Sequence, residues 1–338
     1  MDNRKEYKRK IKQLSEDMEM IKRIDAVNNK LRKYNWVFIH PYNQGFEVSS
    51  FERLIQNTDN KDIEELIFEK FARKFLNLVD PIIMLEGYYK KRPFIKEFST
   101  QIEESIILCL QKDFSGAVSL LIPVIEGSIR KYLIFRNGET AKNKIKMSDL
   151  LVAFDYMTED YVDFHKDGLI EGYAEHFFDI NQQNQILKKH REYFSLWVKQ
   201  LADYLNYNLF FNTRGQVELQ DDFNRHAIFH GFYNVNHNFK NYLRLFSCLN
   251  FLSWIIGQIS KGCSILADVE DELLHKKWLE YYKLLTISEA MDDTKSKILG
   301  REIESFAKYI DKSFLKPMPI SKIFIKQLLK MNVFLIKK

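Results

Sequence analysis

The chain has 338 residues and carries 51 lysines and arginines against 46 acidic residues, which gives a net charge of +5. This length allows one large domain or two ordinary ones around a substantial core. The small basic excess is compatible with a nucleic-acid partner, but it excludes the strongly basic arm of a dedicated nucleic-acid binder. The 3 cysteines are odd in number and well separated. They exclude a disulfide framework and a structural zinc site, and they predict buried thiols in a reducing cytosol.

The composition predicts an all-α fold. Only 12 glycines and 6 prolines interrupt the chain, and long windows repeat their apolar residues at the helical period with almost no strand-like alternation. The N-terminal residues contain no apolar signal core, so we expect a cytoplasmic protein. The most apolar run, residues 245–257, contains serine and asparagine and is shorter than the ~20 residues of a membrane span. No membrane contact is therefore expected.

Helices separated by turns are predicted for the N-terminal region. Residues 5–33 form an amphipathic pattern, which favours a helix on the protein's own core over a dimerisation arm because the apolar repeat stops too early for a coiled coil. Residues 34–47 are predicted to form a loop, and residues 51–89 one or two further helices. Glycine, basic residues and proline then occur together around Arg92, where we place a boundary.

A candidate core begins at residue 98. Residues 117–135 are apolar on almost every side, which predicts a buried helix that Pro123 should kink. Glu126 and Arg130 lie four residues apart within it, in the orientation that favours an ion pair. Two interpretations are open at this point. The pair positions the helix, or Glu126 faces a functional site and orients a side chain there.

Helical patterns continue through the second half of the chain. A strongly amphipathic helix is predicted over residues 187–211, and an apolar helix over 239–260 should pack against 117–135. The last helix predicted, 320–338, is basic and amphipathic, a pattern that occurs at membranes and on RNA but favours a docking helix here. Further helices are predicted over residues 265–286 and 288–310.

The densest group of chemically active residues lies between Asp221 and Gly231. Arg225 is permanently cationic and presents a planar fork of donors that suits a phosphate. His226 and His230 can titrate near neutral pH. Asn224 precedes the arginine, and no other window of the chain combines anion-binding and proton-transfer groups in this way. The pattern indicates chemistry on a phosphodiester.

A zinc site is the alternative for the two histidines, because a helical pair at this spacing can bind a metal. Ala227 occupies the position where a zinc protease of this type carries its glutamate, and His237 does not have the spacing of a third ligand. We therefore expect neither a metal nor another cofactor.

The segment Asn-Arg-His-Ala-Ile-Phe-His-Gly at residues 224–231 resembles the NRHxxxHG form of the HEPN superfamily signature, an arginine and a histidine separated by four to six residues. The segment Leu-Leu-Ile-Pro-Val-Ile-Glu-Gly-Ser-Ile-Arg at residues 120–130 is similar to the LLIPxIExxLR helix of that family. The resemblance covers residues 98–260. It implies a HEPN-like helical bundle with additional helical segments at both ends.

The resemblance also implies an activity and its residues. A HEPN-like protein of this type is expected to be a metal-independent endoribonuclease, in which Arg225 and His230 are catalytic. Asn224, His226 and Glu126 are then supporting residues. We divide the chain into an N-terminal helical region (1–92), the HEPN-like core (93–262) and a C-terminal extension (263–338).

The partners implied by the resemblance are RNA, a second copy of the chain in a homodimer with a composite site, and an antitoxin or a second defence-system protein. The enzyme would be the toxic effector of phage defence by abortive infection or of a toxin–antitoxin system. The alternative is a non-catalytic HEPN-type module that binds a nucleotide, an antitoxin or a partner subunit. The intact arginine and histidine favour the enzyme, whereas the weak basic charge favours the binding module.

Overall fold

The computed structural model describes residues 3–38, 45–56, 62–138, 149–170, 178–210, 224–230, 237–260, 263 and 267–310. All regular structure in these ranges is helical, and no strand occurs within them. The predicted all-α class is therefore confirmed.

Most of the helices are long. Pi-helical turns, Ile83–Tyr89 and Leu205–Leu209, extend α4 and α8 at their C-terminal ends. The α-helices are α1 (Asn3–Leu31), α2 (Gly45–Gln56), α3 (Ile63–Leu76), α4 (Val79–Ile82), α5 (Ser99–Leu110), α6 (Phe114–Asn137), α7 (Asp149–Ile170), α8 (Ile180–Tyr204), α9 (Arg225–His230), α10 (Phe239–Ile259), α11 (Asp271–Ala290) and α12 (Asp292–Leu299).

Helix α10 lies at the centre of the fold. Nearly every residue from Phe239 to Gly257 is buried, because the segment is apolar on all sides. It packs against α6, as the sequence predicts, and also against α3, α7 and α8. Asn238 begins the helix by accepting a hydrogen bond from the Asn241 backbone N–H, at 2.9 Å. The buried α10 therefore gives the surrounding helices a common apolar surface.

Helix α6 carries Glu126 and is held firmly on both sides of that residue. Its N-terminus is capped by Asp113, whose carboxylate accepts from the Gly116 N–H at 3.0 Å. Gly127 lies against the ring of Phe98, and a Cβ atom at this position would stand 2.6 Å from Phe98 Cζ. Since a contact that short is not tolerated, glycine is required where Phe98 approaches α6. These contacts fix the backbone that presents Glu126.

The N-terminal helix α1 uses its apolar face within the protein. Tyr7, Ile11 and Leu14 pack with Phe178 and Ile186 in a small separate cluster. Ile21, Ile24 and Val27 belong to the main core, and α1 runs along α8. The apolar face of α1 is thus covered by its own chain, which leaves no such stripe on this helix for a dimerisation arm.

The C-terminal end of the described chain differs from the prediction. The prediction of one helix over 288–310 is wrong. Helix α11 ends at Ala290, α12 spans only Asp292–Leu299, and Gly300 follows in a left-handed conformation at φ 64°. A left-handed glycine ends a helix, and a long-range ion pair joins the α11–α12 junction to the segment between α5 and α6. Lys112, whose side chain is fully buried, lies between Glu289, at 2.6 Å, and Asp292. The predicted helix over 320–338 lies outside the described residues.

The main hydrophobic core contains residues from each of the three predicted segments. Arg92, where we placed the first boundary, is 3% exposed. Its guanidinium lies 5.3 Å from the ring centroid of Tyr88 and packs directly on Gly257. This arginine is part of the core and does not belong to a solvated basic loop. The division at residues 92 and 262 stays a prediction.

Among the described residues, no helix combines the length and the hydropathy that crossing a lipid bilayer requires. Helix α10 is the most continuously buried helix, but its buried face contains Arg244 and several polar side chains. Its burial is achieved by the surrounding helices.

A stacked pair of histidines joins α7 to α8 near the N-terminal helix. The rings of His165 and His190 lie 4.3 Å apart and are inclined by 16°. Tyr161 stacks on Phe194, and its hydroxyl lies 3.4 Å from Nδ1 of His190. Burial, the neighbouring His165 and the charge of Lys10 together lower the pKa of His190 to about 4. The pKa of His165 is also lowered, by burial and by Lys10.

We predict that the protein loses stability in mild acid through this pair. The pKa of His190 falls from 6.5 to about 4 on folding, so the unfolded chain binds more protons and stability is lost as the pH falls between these values. The shift corresponds to about 3 kcal/mol. The free energy of unfolding, measured in urea from pH 7.5 to 4.5, should fall less steeply for His190→Phe than for wild type. Equal pH dependence in the two proteins would contradict the prediction.

Candidate ribonuclease site between α6 and α9

The short helix α9 is anchored by the residue that precedes it. Asn224 is 3% exposed. Its backbone carbonyl accepts from the Ile228 N–H at 3.0 Å, and its side-chain amide donates to the Asn208 carbonyl at 3.4 Å. Asn208 lies in the pi-helical turn that ends α8. Asn224 therefore ties the start of α9 to the end of α8.

Helix α9 has a buried side and an exposed side. Ile228 packs against the main core, whereas Phe229 is 42% exposed. At 100° per residue, positions 226 and 230 lie roughly 180° around the helix axis from position 228. The two histidines thus occupy backbone positions opposite the core-facing side of α9, and their side chains are outside the described part of the structure.

The Glu126 carboxylate joins α6 to α9. Its Oε2 accepts from Nε of Arg225 at 2.6 Å, across 99 positions of sequence. Its Oε1 accepts from Nε of Arg130 at 3.0 Å, and Nη2 of Arg130 lies 2.9 Å away. The Glu126 side chain is only 13% exposed, so these contacts are shielded from water. One carboxylate is thus shared by two arginines.

Both interpretations of Glu126 that the sequence leaves open correspond to a contact in the structure. Glu126 forms an ion pair with Arg130, which lies on the same helix α6. It also contacts Arg225, which lies in the motif on α9. Of the residues predicted from the sequence, the fold places Arg225 and its chain neighbour Asn224 beside Glu126. The positions of the His226 and His230 side chains, and hence their distances from Arg225, stay predictions.

The Arg225 guanidinium contacts a carboxylate and lies near an aromatic ring. Its Nε donates to Glu126, and the guanidinium lies 6.0 Å from the ring centroid of Phe229. The single carboxylate of Glu126 is shared by two guanidiniums, and the Arg225 side chain is 21% exposed. The planar guanidinium fork of an arginine suits a phosphodiester.

Sequence reasoning missed residues that lie outside the motif. Asn208 supports Asn224 through its backbone carbonyl, a role that carries no side-chain signature and could not be found from residue types. Tyr207 precedes it and is 60% exposed.

Within the described residues, no group of three or more histidine, cysteine or acidic side chains is arranged to hold a metal ion.

Comparisons with protein-family models, with curated proteins and with solved structures gave no match to this chain.

We predict that Glu126 stabilises the fold more than an exposed ion-pair partner does. Glu126→Gln leaves two poorly exposed guanidiniums without their carboxylate, which should lower the free energy of unfolding by roughly 2 kcal/mol. Glu97→Gln is the matched control, because Glu97 pairs with Lys131 but is 51% exposed. Its loss should be less than about 1 kcal/mol. Equal losses in urea unfolding would show that the Glu126 contacts are no stronger than a surface pair.

Proposed function

We propose that this chain is a HEPN-like, metal-independent endoribonuclease. The observation that carries the proposal is the position of Arg225, whose Nε is held by Glu126 at 2.6 Å across α6 and α9. An arginine that is oriented by a carboxylate presents a fixed fork of donors, which is suited to bind a phosphate. The motif supplies His230 as the proton-transfer group.

The reaction begins at a ribose 2′-hydroxyl. His230 accepts the hydroxyl proton as the oxygen attacks the adjacent phosphorus. The bond from phosphorus to the 5′-oxygen of the next nucleotide breaks, and that oxygen takes up a proton as it leaves. The products are a 2′,3′-cyclic phosphate and a 5′-hydroxyl, and no water or metal ion is consumed in the step.

Arg225 stabilises the charge that develops on the non-bridging phosphoryl oxygens. Its benefit depends on being oriented before the reaction, because a donor that is already in place costs no reorganisation in the transition state. Glu126 provides this orientation as a positioning residue. Asn224 fixes the start of the helix, and His226 positions the phosphate or protonates the leaving oxygen.

A homodimer completes the proposed enzyme. Positions 226 and 230 lie on the side of α9 that is opposite Ile228, which packs against the main core. A second copy docked over this side would place another arginine and another histidine against the same RNA strand. One histidine could then act as the base and the other as the acid. In this proposal the enzyme is the toxic effector of phage defence or of a toxin–antitoxin system, held in check by an antitoxin or a second defence protein.

The binding-module alternative is favoured by the same carboxylate. Both oxygens of Glu126 are occupied by arginines, and such a network would also serve a protein that only holds a nucleotide or a partner subunit. The two functions differ in whether the phosphodiester bond is broken.

Cleavage of RNA by the purified protein in EDTA separates them. We expect wild type to cut RNA and to leave 2′,3′-cyclic phosphate ends. Arg225→Ala and His230→Ala should each reduce the rate by about 100-fold or more, since one loses the stabilising charge and the other the base. The matched controls are Arg23→Ala and His275→Ala, which change exposed residues on α1 and α11. Both should cut at the wild-type rate.

Each variant must first show a cooperative urea unfolding transition and be folded under the assay conditions, so that a lower cleavage rate does not reflect lost folding. If folded wild type leaves single-stranded and structured RNA intact, or if Arg225→Ala and His230→Ala cut as fast as the controls, the ribonuclease proposal fails.

A further inference from the structure

The surface beside the Asn224–Asn208 contact carries two exposed aromatic rings. Phe229 on α9 is 42% exposed, and Tyr207 in the pi-helical turn after α8 is 60% exposed. The neighbouring residues Leu205, Leu209 and Ile228 pack into the core, so the backbone that presents each ring is fixed. An aromatic ring exposed on a fixed backbone offers a flat π-face on which a nucleic-acid base can stack.

Each ring has an arginine beside it. The guanidinium of Arg225 lies 6.0 Å from the centroid of Phe229, and that of Arg32 lies 6.0 Å from the centroid of Tyr207. This distance is at the outer limit of a cation–π contact, so neither arginine is stacked tightly on the ring. The Arg32 guanidinium also lies 3.9 Å from Asp203, which limits its freedom. A charged donor thus stands next to each aromatic ring without covering it closely.

The two pairs are linked through one hydrogen bond. Tyr207 is the chain neighbour of Asn208, whose carbonyl accepts from Asn224, and Asn224 is the chain neighbour of Arg225. Adding the bond lengths along this route puts the backbones of Tyr207 and Arg225 no more than about 20 Å apart. A strand of a few nucleotides is long enough to span that separation.

We propose that Phe229 and Tyr207 stack unpaired bases of the RNA, while Arg225 and Arg32 contact its phosphates. Every base has a flat π-face, but in a duplex that face is covered by its neighbours. The substrate class that fits is single-stranded RNA, or an unpaired loop within a folded RNA. This inference deepens the proposed function and rests on it for the identity of the ligand as RNA.

The inference is tested by binding without cleavage. A short, fully 2′-O-methylated oligoribonucleotide has no free 2′-hydroxyl to attack, so its dissociation constant measures recognition alone. At one fixed salt concentration, Phe229→Ala and Tyr207→Ala should each raise that constant by about 10-fold, because each loses one stacked base. Phe229→Trp should retain binding. Wild type should bind the corresponding duplex more weakly than the single strand.

Phe135→Ala is the matched control. Phe135 is the most exposed aromatic residue of the described chain at 72%, and its ring contacts Phe94 and not an arginine. Its removal should leave the dissociation constant unchanged. The oligomeric state of every variant is measured at the same concentration, because an exposed Phe229 could instead contact a second copy of the chain.

The possible failures can be told apart. No binding by wild type, equal binding by wild type and both alanine variants, or a loss explained by a changed oligomeric state would each overturn the stacking inference. Unmodified RNA tested with His230→Ala reports separately on cleavage. If binding depends on the two rings but no RNA is cut, the ribonuclease proposal fails and the stacking inference stands. If Phe229→Ala and Tyr207→Ala cut RNA as fast as wild type, the stacking inference fails and the ribonuclease proposal stands.

Discussion

The candidate site depends on the contact between the Glu126 carboxylate and Arg225. Helix α9 has only six residues, and a helix so short has little stability of its own in water. Its position is imposed by the Arg225–Glu126 contact, by the hydrogen bond from Asn224 to Asn208, and by the packing of Ile228 against the main core. The long helices α6 and α8 therefore determine where the motif lies, and the motif contributes little to its own placement.

The division of labour within Arg225 follows from the same contact. Its Nε donates a hydrogen bond to Glu126 within the fold. The terminal nitrogens are the atoms that would bind the phosphate in the proposed enzyme. Because Glu126 is shared with Arg130, the carboxylate compensates only part of the positive charge. In the proposed enzyme, a phosphate binds without displacing the contact that orients the arginine. Phe229, one turn further along α9, adds an aromatic surface next to the charge, where the proposed RNA site would stack a base.

Much of the fold could be predicted because the spacing of apolar residues along the sequence indicates which helix faces are buried. The largely apolar segments at 117–135 and 239–260 correspond to α6 and α10, which pack together. The ion pairs of Lys112 with Glu289 and Asp292, at the junction of α11 and α12, could not be predicted. The residues of such a pair are distant in sequence, and local patterns carry no information about them.

The sequence by itself determined the all-α class, the central apolar helices, and the set of residues able to bind a phosphate and move a proton. Helical period and side-chain chemistry are local properties, so they can be read from neighbouring residues. Only the tertiary structure decided that Glu126 contacts Arg225, that Arg92 is buried, and that Tyr207 stands near the motif. These are contacts between segments far apart in the chain, and the packing of whole helices around α10 fixes which of them meet.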